Sequence, residues 1–234
     1  MPPLSRARLD SELRIVRDSI IQLASLVDDA IAHAFDALMS RDLELARRIV
    51  AEDGRINAKR YEVEQECLKL LATQYPQATD LRLTLAAMHI AIELERIGDH
   101  AAGIAALVLR METDPDFDVL ARLPKMVTRA RDMVSEAVTA FLEQDVAVAE
   151  KQIRRDDKLD RHYLKLFRET LETMRAEDNY IRRGTFLLWV GHNLERIGDR
   201  ATNIAERVIF VSTGRYPEMD FQFSMDDDSD NTTE

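Results

Sequence analysis

The six residues LERIGD stand at positions 94–99 and again at 194–199. Each copy lies in a stretch whose apolar residues recur at helical spacing, and the repetition reaches far beyond the six. Upstream, Leu9, Leu13, Val16, Ile20, Leu23, Val27, Ala30, Ala34 and Leu38 fall in alternating steps of four and three, which predicts a heptad seam on a long helix. A matching seam runs through Met126, Ala130, Met133, Ala137 and Ala140, and Asp42 in MSRD has its counterpart at Asp145 in LEQD, an offset of 103. The same offset pairs Asp53, Ile56 and Asn57 of DGRIN with Asp156, Leu159 and Asp160 of DDKLD. At LERIGD it falls to 100, so the second copy has a connection three residues shorter.

A chain written twice in this way predicts an all-α fold of six long helices, two tandem three-helix bundles related by internal duplication. Turn residues mark the breaks at Tyr75-Pro76-Gln77, Asp114-Pro115, Glu177-Asp178-Asn179 and Pro217. The expected units are residues 1–113, 114–216 and an acidic segment 217–234. The run SMDDDSDNTTE closing that segment has too little apolar surface to offset its ordering entropy, so the segment is expected to be disordered.

Charge narrows the function classes. The formal net charge is −11, and no Lys/Arg-rich block with interleaved aromatics occurs, so nucleic-acid binding is not expected. A cation or a basic protein partner suits the chain better. The single cysteine, Cys67, rules out an internal disulfide and a multi-thiolate zinc site, and suits a reducing compartment. The N-terminal MPPLSRARLD has no secretory pattern, and no apolar run reaches the eighteen or so residues of a membrane span. A cytoplasmic protein that meets the membrane only through partners is expected.

The chemistry-bearing residues lie on the repeated helix. Glu95 and Asp99 are four apart and share a face, as do Glu195 and Asp199. Unpartnered, such like charges cost roughly 0.2–0.5 kcal/mol, a cost that a shared cation reverses. In the neighbouring helix the seam Ile49, Asp53, Ile56, Arg60, Val63, Cys67, Leu70 places Asp53 where an apolar residue belongs, and Gln152, Asp156, Leu159, Tyr163, Leu166 does the same for Asp156. A carboxylate near a seam is costly unless paired or metal-bound. Counted from turns near positions 77 and 178, Asp53 and Asn57 stand 24 and 20 residues before the first, with Glu95 and Asp99 18 and 22 after it. Asp156 and Asp160 stand 22 and 18 before the second, with Glu195 and Asp199 17 and 21 after it. The levels differ by a few residues, under about two turns, so oxygen-bearing side chains of adjacent helices can converge at mid-bundle in both copies.

Clustered carboxylates with little His and no usable Cys make a hard oxygen site for iron, manganese, magnesium or zinc. The metal-ligand candidates are Glu95, Asp99, Glu195, Asp199, Asp53 and Asp156. His192, three before Glu195, is a further nitrogen donor, and Asn203 can orient a carboxylate where its counterpart Gly103 cannot. Metal-free alternatives remain open, because Arg96 and Arg196 can bridge to the following Asp, and His100 and Arg200 are cationic neighbours. A ferritin-like di-iron enzyme needs Glu-x-x-His on two helices, and none of the five histidines has Glu three residues before it. Glycine-rich phosphate loops, HExxH and GxSxG are absent.

The stretches ERIGDHAAGIA (95–105) and ERIGDRATNIA (195–205), with SRDLELARRIVAEDGRIN, YPQATDLRL and EQDVAVAEKQIRRDDKLD, resemble the PhoU family over nearly the whole chain to about Val211. That resemblance implies a non-enzymatic negative regulator of the phosphate-starvation response. Its partners would be the ATPase subunit of the phosphate ABC transporter and a membrane sensor histidine kinase. It also implies multinuclear iron or zinc clusters held by the paired carboxylates Glu95, Asp99, Glu195 and Asp199. The first copy departs from the pattern at Gly103. A spare apolar stripe on the seams adds a homodimer to the expectations. The competing classes are a metal-dependent carboxylate enzyme and a metal-free helical scaffold.

Overall fold

The computed structural model describes residues 3–111, 123–154 and 156–215, with the side chains of 3–5 and 156–157 also outside the description. The breaks expected at Asp114-Pro115 and Pro217, and the segment 217–234, lie outside the described residues. Among those described, all regular structure is helical: α1 (Pro3–Ser40), α2 (Leu43–Gln74), α3 (Thr79–Arg110), α4 (Leu123–Glu143), α5 (Val146–Ile153), α6 (Asp156–Ala176), a 3₁₀ turn (Asp178–Tyr180) and α7 (Ile181–Thr213). The helices α1, α2 and α3 pack mutually as one repeat, and α4, α5/α6 and α7 as the other.

The two copies turn in the same way. Arg41 and Gln144 both adopt left-handed φ, 55° and 56°, and the Asp after each caps the next helix. Asp42 Oδ1 accepts from Leu45 N at 2.9 Å, and Asp145 Oδ1 from Val148 N at 3.0 Å. The N–H of each Asp also returns five residues, to Ala37 O and Ala140 O, closing the preceding helix. The α2–α3 connection breaks at Tyr75-Pro76-Gln77 as expected, with Tyr75 and Ala78 left-handed. In the second copy the middle helix ends at Ile153 as α5 and resumes at Asp156 as α6.

The predicted seams are buried. From Leu9 to Leu38 every seam position of α1 lies in the core except Ala30, whose place is taken by Ile31. A straight helix at 3.6 residues per turn drifts off a 3.5-residue stripe, and this one-residue shift follows from that drift. The core runs without a break from one repeat into the other, because α3 packs against α7 and α1 against α4. The third helices cross antiparallel. Arg82 Nε, at the start of α3, donates to Val211 O at 2.8 Å, and Arg182 Nη2, at the start of α7, donates to Arg110 O at 3.4 Å. The two arginines are equivalent and their acceptors lie within one residue of equivalent positions, so the repeats are related by an approximate two-fold axis through the α3–α7 and α1–α4 contacts. On α1 and α4 the equivalent positions 28 and 131 face each other directly, where Arg131 grips Asp28 through two bonds of 2.8 Å.

Candidate metal centre

In each repeat, Ile97 and Leu94 of LERIGD, or Ile197 and Leu194, are buried, which rotates the Glu and Asp of the motif toward the middle helix and partly out to solvent. Gly98 completes this placement. A β-carbon there would meet Ile56 of α2 at 2.9 Å, so the missing side chain lets α2 approach α3 at the level of the carboxylates. Gly191 does the same for α6 against α7, since a β-carbon would stand 2.5 Å from Leu166.

The second repeat gathers three carboxylates. One oxygen from each of Asp160, Glu195 and Asp199 lies within 4.8 Å of the others, all three side chains half-buried. Among the described residues no other trio of His, Cys, Asp or Glu meets that closely. Burial lifts Asp199 above the usual carboxylate range, against the pull of Arg196, Arg200 and His192. Arg196 Nη1 reaches Asp199 Oδ2 at 2.7 Å, and His192 Nδ1 stands 3.3 Å from Glu195 Oε2. Tyr163 flanks the cluster, its hydroxyl held above its ordinary value by burial and by the charge of Glu195.

The first repeat is built from the equivalent helices, with Asn57 in the place of Asp160. Asp53 is half-buried and accepts a bond from Asn57 Nδ2 at 3.2 Å. Burial and then Asp99 raise Asp53; burial, Asp99 and Asp53 raise Glu95, while Arg96 and Arg60 oppose them. Arg96 Nη1 lies 3.5 Å from Asp99 Oδ2, and Arg60, over the ring of Tyr61, pairs with Glu64 at 2.6 Å. Asp53 also lines a cleft of about 200 Å³ between α1, α2 and α3, beside Asp29, His33 and Glu52.

The structure therefore brings Glu195 and Asp199 together and sets Asp53, Glu95 and Asp99 in one another's field. The side chain of Asp156 lies outside the described residues. Asp160, which belongs to the close trio, was not among the six candidates drawn from the sequence. Its signal was legible, since it stands 18 residues before the turn and Glu195 stands 17 after. Its counterpart in the first repeat is Asn57. Asn203 does engage a carboxylate, but across the repeats: its Nδ2 donates to Glu93 Oε2 at 3.2 Å, beside Arg200 Nη1 at 3.4 Å. His100 likewise reaches the other repeat, its Nδ1 donating to Asn193 Oδ1 at 3.0 Å. His100 and Arg200 thus spend their hydrogen bonds on the α3–α7 contact and not on the motif carboxylates beside them.

Half-buried carboxylates in threes form a donor set suited to a hard cation, with Arg196 as the counter-charge in its absence. The trio fits such an ion by its oxygen chemistry and close spacing. Among the described residues no helix is long and apolar enough to cross a membrane.

The profile of the PhoU domain matches the chain twice, over residues 20–108 and 123–208. The chain is 30% identical to the phosphate-specific transport system accessory protein PhoU homolog of Clostridium acetobutylicum over 213 residues, covering 91% of this chain and 97% of that one. It is 35% identical to the protein of the same description from Caulobacter vibrioides over 205 residues, 87% and 89% of the two chains. Its fold matches the crystal structure of PhoU from Pseudomonas aeruginosa with a TM-score of 0.83 at 32% identity, over 88% of this chain and 99% of that. It also matches the crystal structure of the phosphate transport system regulatory protein PhoU from Streptococcus pneumoniae, with a TM-score of 0.84 at 32% identity, over 90% and 100%.

Proposed function

The chain belongs to the PhoU family, and we propose that it is a non-enzymatic cytoplasmic regulator of phosphate uptake, coupling the ATPase subunit of a phosphate ABC transporter to a membrane sensor histidine kinase. The relatives named as accessory and regulatory proteins of phosphate transport support the role. The observation that carries the site assignment is the meeting of Asp160, Glu195 and Asp199, two of them from the duplicated motif.

In this reading Asp160, Glu195 and Asp199 hold a metal ion in the second repeat, with Asp156 a further candidate from the sequence, and Asp53, Glu95 and Asp99 form the weaker counterpart in the first. A bound di- or trivalent cation such as iron, manganese, magnesium or zinc would neutralise the carboxylates and tie α6 to α7. The chain's own residues do the rest. Gly191 and Leu166 set the α6–α7 spacing, Arg196 balances Asp199 when no ion is bound, and the acidic faces of both repeats engage basic surfaces of the partners. Homodimerisation through apolar side chains left exposed on the helices belongs to the same proposal. A metal-free scaffold is favoured by the 2.7 Å Arg196–Asp199 pair, which already satisfies one carboxylate.

The test is capture of the transporter's ATPase subunit and of the kinase by the purified protein, beside a Glu195→Lys, Asp199→Lys variant. The proposal expects both partners to be retained by the wild type and at least one to be lost by the variant. Unchanged retention of both contradicts the docking role of this face.

A further inference from the structure

The outward side of the α6–α7 pair carries side chains that its equivalent in the first repeat lacks. Leu159, Leu166 and Thr170 turn one side of α6 into the core, which leaves Arg161, Lys165 and Arg168 exposed on the other. Among the described residues none of the three is drawn into an ion pair. At the offset of 103, the equivalent places on α2 hold Ala58, Glu62 and Gln65, and Phe167 has Glu64 as its counterpart. The same domain profile matches both repeats, so folding as such does not call for these cations. Apolar carbon lies beside them. The rings of His192, Tyr163 and Phe167 follow one another across the α6–α7 seam, with 6.1 and 6.2 Å between centroids. Phe167 therefore faces the same side as the α7 stripe Ile181, Leu188 and His192. On this side Leu164 is 50%, Phe167 37%, Ile181 52% and Trp189 46% exposed. Past His192 the stripe passes to Glu195 and Asp199, so the basic and apolar area is confined to the end of the pair nearer the α6–α7 turn.

We propose that this end of the α6–α7 pair is a membrane-contact surface that rests directly on anionic phospholipid. Arg161, Lys165 and Arg168 meet lipid phosphates, while Leu164, Phe167, Ile181 and Trp189 enter at the level of the headgroups, where aromatic and aliphatic side chains on a basic helix face settle. Charge also sets the orientation. The chain carries a net charge of −11, so an anionic leaflet repels most of the molecule and attracts this end. Each cation at such a surface contributes about fivefold to partitioning. Three together give roughly a hundredfold, which suits reversible attachment that needs no partner protein. A bilayer is favoured over an acidic protein because the relief is shallow, a depression along α6 that ends at Glu169 and Glu172. The apolar side chains are spread over two helices around it and do not gather into the pocket that anchors a protein partner.

Trp189 is the chain's single tryptophan, so its emission reports on this surface without a label. The full chain is mixed with vesicles of equal parts phosphatidylglycerol and phosphatidylcholine, and separately with vesicles of phosphatidylcholine alone. Sedimentation gives the bound fraction, and Trp189 emission shows whether this face makes the contact. The expected result is binding to the anionic vesicles that weakens with salt, with a blue shift of Trp189 and its quenching by lipids brominated on the acyl chains. The variant Arg161→Ala, Lys165→Glu, Phe167→Glu, Arg168→Gln gives α6 the residues that α2 carries at the equivalent places. Its helix content, checked by circular dichroism, should be unchanged, and its partitioning should fall at least tenfold. Wild type left in the supernatant, binding that leaves Trp189 emission unmoved, equal binding to neutral vesicles, or unchanged partitioning of the variant overturns the proposal. So does a blue shift with polyglutamate but not with vesicles, which would assign the face to an acidic protein. None of these outcomes depends on metal content or on the phosphate-signalling role.

Discussion

The side-chain oxygen of Asn193 stands 3.2 Å from the point where a β-carbon on Gly103 would sit, while accepting a bond from His100 at 3.0 Å. Gly103 is therefore the space that Asn193 occupies, and its counterpart Asn203 turns to Glu93 on the opposite side of the two-fold axis. The departure at Gly103, which in the sequence looks like a weakened site, is a packing feature of the α3–α7 contact.

Two opposing effects follow for substitutions at Gly103. Alanine gains about 1 kcal/mol of helix propensity and loses part of it to a contact that a flexible amide can relax, so Gly103→Ala should stay within about 1 kcal/mol of wild type. Asparagine overfills the space and breaks the His100–Asn193 bond, costing about 1–3 kcal/mol. Urea unfolding of both variants checks the order; an asparagine variant as stable as the alanine one contradicts the packing account.

Asp28 and Arg131 occupy equivalent positions of the two repeats, so their exchange preserves the contact. Each partner is about 40% exposed or slightly more, which limits the pair to about 1 kcal/mol or less. Arg131→Asp or Asp28→Arg alone should lower stability by roughly that amount, and the double exchange should recover most of it. A double-mutant cycle with no coupling would show that the bidentate geometry contributes nothing.

The folded protein holds Asp53, Glu95 and Asp199 above the usual carboxylate range, burial being the main cause in each. The unfolded chain releases these protons first, near pH 4, and so binds fewer protons over the window up to the raised folded values. Stability of metal-free protein should therefore fall as pH rises through that window. The variant Asp53→Asn, Glu95→Gln, Asp199→Asn should show a shallower fall, read from urea midpoints between pH 4 and 7. A variant with the wild-type slope would place the raised groups elsewhere.

The duplication was legible because heptad seams, capping Asp residues and LERIGD each constrain backbone geometry directly. The meeting of Asp160 with Glu195 and Asp199 was legible from position, since antiparallel helices rise equally per residue. Two things were not legible. The interruption after Ile153 leaves no mark in the apolar pattern, because Gln152 keeps its buried seam slot by donating to Met133 O at 2.7 Å. The cross-repeat roles of His100, Arg200 and Asn203 depend on the packing of α3 on α7, which periodicity within one helix does not encode. Asp53 shows a middle case: it fills a seam slot, yet a cleft beside it keeps it only half-buried.

The most direct measurement is the metal content, by elemental analysis, of protein purified without chelator, compared between wild type, Asp160→Ala and Asn57→Asp. The account predicts bound metal in the wild type, its loss or steep reduction in Asp160→Ala, and added metal in Asn57→Asp, where a third carboxylate joins the first repeat. Metal-free wild type, or a content that neither substitution alters, would contradict a carboxylate metal centre on the repeated motif.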